Sequence, residues 1–160
     1  MVSVKIIAVG KLKEKFFTEA FGEYEKRLAG FCKLTAEEVE AAYLPDDPSD
    51  AEIQKALDTE AEKILRKIPA DSYVIPMCVE GKQISSEEFA GKLSDGTAEG
   101  KNTFTFIIGG SYGLSDTVKK RGDLRLSMSK MTFPHRLARI MLAEQIYRAF
   151  TILNNRKYHK

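Results

Sequence analysis

Histidine is scarce in this chain, two in 160 residues, and both sit where a proton could be moved. His135 ends the run Thr132-Phe133-Pro134-His135 and opens a long closing helix. There the positive end of the helix dipole disfavours imidazolium, leaving a neutral ring that can accept a proton. A helix-start histidine making one backbone hydrogen bond is the competing account. His159 lies in the terminal run Arg156-Lys157-Tyr158-His159-Lys160. A Tyr-His-Lys cluster could stack on a base and touch phosphate, although chain ends are usually solvated.

Two loops offer a place for a small ligand. Ile107-Ile108-Gly109-Gly110-Ser111-Tyr112-Gly113 is a strand running into a glycine-bearing turn, with a helix start at Ser115-Asp116. Glycine lets backbone amides approach a ligand, and ligands of open α/β sheets settle at the carboxyl ends of strands. The turn is neither GxGxxG nor a phosphate loop with Gly-Lys-Ser/Thr, which disfavours a nucleoside triphosphate. In Leu126-Ser-Met-Ser-Lys-Met-Thr-Phe-Pro-His135, Met128, Met131 and Phe133 offer soft apolar contact beside backbone polar groups. That combination suits an adenine ring and a thioether better than phosphates. Either segment could equally be a plain turn or a buried strand before a proline-capped helix.

Charge is divided along the chain. Residues 101–160 hold 12 Lys/Arg against 3 Asp/Glu, a net of +9, and residues 1–100 hold 13 against 20, a net of −7; together these give +2. Lys119, Lys120, Arg121, Arg125, Lys130, Arg136, Arg139, Arg148, Arg156 and Lys157 have few nearby carboxylates in sequence, which points to phosphate contact. With 43% apolar and 30% charged residues the composition is that of a soluble globular protein of one domain, residues 1–160. The apolar opening stretch is too short for a signal peptide or a membrane span. Cys32 and Cys78 form no CxxC or Cys/His cluster. They are expected as free thiols in a reducing cytoplasm, with no metal site.

The elements that must position these residues alternate. Strands are expected over Val2–Gly10, Phe31–Glu40, Ser72–Val79, Asn102–Ile108 and Leu124–Met128, with Pro76 implying an edge, a bulge or a strand end. Helices are expected over Lys13–Leu28, from the Ser49/Glu52 capping box to Lys67, from the Ser85/Glu88 box to Leu93, over Ser115–Arg121 and over Pro134–Leu153. Ser94–Lys101, with two glycines, reads as a loop. This order predicts an α/β fold, a mostly parallel sheet with helices on both faces. Nearly every face of the closing helix is apolar, so it must be covered on both sides; a partner subunit is the favoured cover, with burial beneath the tail as the alternative, and a homodimer is expected.

Ala8-Val-Gly-Lys11, Ile108-Gly-Gly110, Gly113-Leu114, Thr132-Phe-Pro-His135, Ala143-Glu-Gln-Ile-Tyr-Arg-Ala149 and Tyr158-His159-Lys160 occur in this order. Together they resemble the ribosomal RNA large subunit methyltransferase H family, of the SPOUT class, over essentially the whole chain. The resemblance implies a C-terminal trefoil knot, a rare exception to unknotted topology. It also implies a homodimer that binds S-adenosylmethionine and methylates N3 of a pseudouridine in large-subunit ribosomal RNA on the ribosome, in the cytoplasm. Carried over by position, the donor would contact Met77, Gly109, Met128, Ser129, Lys130, Met131, Thr132 and Phe133. His159, held by Tyr158 and Lys160, is the first candidate for the group near the acceptor base, and His135 the second. No metal is expected, since the leaving thioether is neutral. A non-enzymatic RNA-binding protein and a nucleotide-binding metabolic enzyme are the other classes. Uptake of S-adenosylmethionine separates the first from an enzyme, and the missing phosphate loop weakens the second.

Overall fold

The computed structural model describes residues 1–159. Its frame is a four-stranded, wholly parallel sheet in the order β2-β1-β4-β3, built from β1 (Val2–Val9), β2 (Cys32–Val39), β3 (Tyr73–Lys82) and β4 (Thr103–Ile108). Parallel neighbours need crossover connections, and helices supply them: α1 (Lys15–Leu28), α2 (Asp50–Lys67) and α3 (Ser86–Ala98). Beyond β4 lie α4 (Asp116–Arg121) and α5 (His135–Leu153).

The strand pleat sends alternate side chains to two cores. On one face Val4, Ile6, Ala8, Phe104, Phe106 and Ile108 pack against Phe21 of α1, Phe89 and Leu93 of α3, and Leu142, Ala143 and Ile146 of α5. On the other, Ile7, Val9, Val74 and Ile107 pack against Ala61 and Ile64 of α2 and Val118 of α4. Thr105, fully buried on that second face, meets Ser72 with their hydroxyl oxygens 2.5 Å apart, which satisfies both polar groups. Both capping boxes form: Ser49 and Ser85 each accept the backbone N–H three residues on and donate their own to Glu52 and Glu88.

Three segments depart from the sequence reading. α3 continues through Ser94–Ala98 instead of ending at Leu93. Gly96 within it faces the Phe104 ring so closely that a Cβ would lie 2.8 Å from it, so the glycine marks close packing rather than a loop. β3 runs on to Lys82 with Pro76 inside it. The Val74 N–H points outward to Asp123 Oδ2 at 2.7 Å. Two residues on, Pro76 places its missing donor on that same outer edge, where a ladder loses nothing.

The third departure concerns Leu124–Met128, which is not a strand. It is an irregular segment stitched along the outside of β3 by Asp123 N–H to Val74 C=O (2.8 Å), Lys82 N–H to Arg125 C=O (2.9 Å) and Ser127 N–H to Lys82 C=O (2.9 Å). It shields the sheet edge that β3 would otherwise expose. α5 gets its cover from α1, α3 and the sheet, leaving Leu137 and Leu153 exposed at its two ends. Among the described residues no helix is long and apolar enough to cross a membrane.

Candidate active site

Where β3 and β4 end, the chain makes a turn, Gly109–Gly113, and later returns as the segment 126–134. The two enclose a cleft of about 750 Å³. The turn is tight: Gly113 N–H donates to Gly110 C=O at 3.0 Å, and Gly113 holds φ at +78°. A Cβ on Gly109 would collide with the Gly113 backbone, so only hydrogen fits there. Ser115 then caps α4 through the Val118 N–H. The opposite wall is held by Ser127, whose hydroxyl donates to Ser129 C=O at 2.9 Å, and by Ser129, whose hydroxyl accepts from Met131 N–H at 3.1 Å.

Of the residues singled out in the sequence, Met77, Gly109, Met128, Ser129, Met131, Thr132, Phe133 and His135 line this cleft together. Lys130 is exposed and does not line it. Met77 of β3 and the 126–134 segment lie far apart in sequence, which would not suggest a common wall. The Leu126–Met77 bridge beside β3 brings them together.

His135 is half-buried. Its Nε2 lies 3.6 Å from where a Cβ on Gly10 would stand, and Gly10 has φ +89°. The end of β1 therefore floors the histidine. Burial first, then the Arg136 and Arg139 charges, push the imidazole below its ordinary value, against the opposing pull of Glu14. The neutral ring expected at a helix start is thus reinforced by its surroundings.

Tyr158 and His159 do not reach this cleft within their own chain. They fold back on α5 and α3. His159 Nδ1 accepts from Arg148 Nη1 at 3.2 Å, and its Nε2 lies 2.6 Å from Glu87 Oε1. An arginine can only donate, so this pairing puts the ring proton on Nε2 and leaves no nitrogen lone pair available for a substrate. The Tyr158 hydroxyl donates to Glu144 Oε1 at 3.3 Å, its ring meeting Tyr147 edge-on at 4.8 Å. Burial and that carboxylate raise the phenol, keeping it a proton donor. Lys160 lies outside the described residues.

The sequence reading missed several lining residues. Cys78, Val79 and Glu80 follow Met77 along β3, and Lys119 comes from α4. Glu80 is ion-paired to Lys119, which holds its carboxyl below the usual range. A strand continuing past Pro76 was the available signal. The expectation that the basic third lacks carboxylate partners is corrected for four residues. Lys119 pairs with Glu80, Arg136 with Glu14, Arg139 with Glu38, and Arg148 with Glu144. Three of those acids come from the first hundred residues, brought close only by folding.

Chemically, the cleft offers soft apolar walls, two backbone turns and one neutral imidazole, an environment suited to a flat heterocycle and a thioether. Residues 2–159 match a family model described as "Predicted SPOUT methyltransferase". The ribosomal RNA large subunit methyltransferase H of Listeria monocytogenes is 46% identical over 159 residues, 99% of this chain and 100% of that protein. The protein of the same name from Limosilactobacillus reuteri is 47% identical over 159 residues, with the same coverage. Among solved structures, a probable methylase family protein from Haemophilus influenzae is similar in fold, with a TM-score of 0.55 and 17% identity over 100% of this chain and 72% of that one. With a parallel sheet of this order, its glycine turn and full-length identity near one half, the chain belongs to the ribosomal RNA large subunit methyltransferase H family of SPOUT methyltransferases.

Proposed function

We propose that this protein is an S-adenosylmethionine-dependent methyltransferase that methylates N3 of a pseudouridine in large-subunit ribosomal RNA, acting in the cytoplasm on the ribosome. The observation that carries the reading is the shared cleft. Seven of the eight residues expected to hold the donor line one cavity at the carboxyl ends of β3 and β4, where ligands of α/β sheets bind. The space fits such a donor. Met77, Met128, Met131 and Phe133 are suited to its adenine and thioether, and Gly109 admits close backbone approach. When bound, the donor supplies an electrophilic methyl group on a positively charged sulfur.

The chain's own part is positioning and proton handling. The turn Gly109–Gly113 and the segment 126–134 hold two sides of the donor. The acceptor nitrogen bears a proton that must leave, and His135 is the group with the right form for it: neutral, half-buried and lining the cleft. His159 and Tyr158 enter this account from a second chain, the tail of one protomer completing the site of the other. A groove of about 480 Å³ along α5, lined by Tyr24, Ile84, Phe89, Ile140 and Met141, supports a second copy seated there. The trefoil knot belongs to the same reading. In support of it, after the tight turn at 109–113 the chain runs along the outer edge of β3 before α5 packs on the other face of the sheet.

The test is methylation of large ribosomal subunits and whole ribosomes from a deletion strain, with mass mapping of the product. The expected result is one added methyl on one pseudouridine. Transfer to another nucleotide, or none at all, contradicts the reading.

A further inference from the structure

The mouth of the cleft carries an apolar rim of which only Met131 is among the residues expected to hold the donor. Eight large hydrophobic side chains are exposed among the described residues, and three of them, Val79 (47%), Tyr112 (49%) and Met131 (72%), line this one cleft. They come from three separate parts of the chain: the end of β3, the glycine turn and the 126–134 segment. Folding has little use for apolar groups left in water, and such a cluster at a cavity mouth marks a contact surface. Tyr112 stands on a backbone fixed by the Gly113–Gly110 hydrogen bond and by the contact of Gly109 with Gly113. Its ring is therefore presented with little conformational cost.

Charge identifies what such a rim would meet. Lys130, beside Met131, and Arg125, in the segment that leads to it, are exposed and form no ion pair among the described residues. Their cationic neighbours Lys119, Arg136 and Arg139 are consumed by internal carboxylates. A flat apolar surface flanked by uncommitted cations is the complement of an unstacked nucleic-acid base, whose π-face stacks on aromatic groups while its phosphates seek Lys and Arg. A base inside a helix cannot bring a ring nitrogen to a cavity of this kind, so the acceptor must arrive flipped out or single-stranded.

We propose that Tyr112, with Val79 and Met131, is the platform on which an unstacked base of the RNA acceptor stacks at the cleft mouth, Lys130 and Arg125 holding its flanking phosphates. This rests on the methyltransferase reading above. Stacking of one base on one aromatic corresponds to about a 5- to 150-fold change in affinity.

The experiment compares wild type, Tyr112→Ala and Tyr112→Phe. It measures the KM and kcat for unmethylated large subunits and whole ribosomes, filter binding of the same particles and the calorimetric Kd for S-adenosylmethionine. The expected result is a KM and a subunit Kd raised at least about fivefold in Tyr112→Ala, restored by Tyr112→Phe, with the donor Kd unchanged. If donor affinity falls instead, the ring serves the donor's adenine and the proposal is overturned. Unchanged subunit binding and KM in Tyr112→Ala overturn it too. If the wild-type protein methylates neither large subunits nor whole ribosomes, the enzyme reading fails, while filter binding still decides whether Tyr112 contacts RNA.

Discussion

His135 meets two guanidinium groups on its own helix, while Gly10 and Glu14 come from the end of β1 and the start of α1. Because burial and the two cations lower its proton affinity, the folded protein holds fewer protons here than the unfolded chain just below the ordinary imidazole value of 6.5. Stability therefore rises with pH from the depressed folded value up to 6.5, and is lost as pH falls through that window. His135→Asn should flatten the fall of the urea midpoint with pH below 6.5, while any loss of methyl transfer should persist at every pH. Gly109 gives a second prediction at this scale. A methyl group there has nowhere to go but into the Gly113 backbone, and overpacking of this kind costs about 1–3 kcal/mol. Gly109→Ala should lower the free energy of urea unfolding by about 1–3 kcal/mol and, by displacing the turn, weaken S-adenosylmethionine binding by calorimetry. Both residues were legible in the sequence through their types and neighbours. What could not be read was the floor beneath His135, because Gly10 lies 125 positions away and no local pattern joins them.

Elements set the walls. α5 begins at the cleft and is tied to the ends of β1 and β2 by Arg139, whose Nη1 donates to Glu38 Oε2 at 2.9 Å and Nη2 to Gly10 C=O at 3.0 Å. Arg139 is 3% exposed. Removing it strands the Gly10 carbonyl and empties a packed site, though Glu38 keeps access to water. Arg139→Ala should cost about 2–3 kcal/mol in urea unfolding. Arg139→Lys should recover only part of this, since one ammonium cannot reproduce both contacts. The capping boxes and the Val2–Val9 and Thr103–Ile108 strands were readable because apolar period and cap chemistry agree there. The 124–128 segment was misread because its alternation is that of a strand. Yet its backbone partners lie at scattered points on the outer edge of β3, set by Pro76 and Asp123 rather than by a ladder. The Ser94–Ala98 turn of α3 was lost to Gly96, whose purpose is visible only once the Phe104 ring is in place.

At the scale of the molecule, charge asymmetry survives folding in reduced form. The sequence shows +9 in its last sixty residues, but tertiary pairs with Glu14, Glu38 and Glu80 take up three of those cations. Charge reversal should therefore sort into two kinds. Arg125→Glu with Lys130→Glu should weaken subunit binding and lessen the slope of log K against log salt by about 1.5 to 2, leaving the melting temperature nearly unchanged. Arg136→Glu sets two acids face to face with Glu14 and should lower the melting temperature before it touches binding. The measurement that bears most directly on the whole account is a crystal structure of the protein grown with S-adenosylmethionine. The donor should lie between the Gly109–Gly113 turn and Met128–Phe133, with His135 at the same cavity. A donor bound elsewhere on the chain, or a cleft that stays empty at saturating donor, would contradict it.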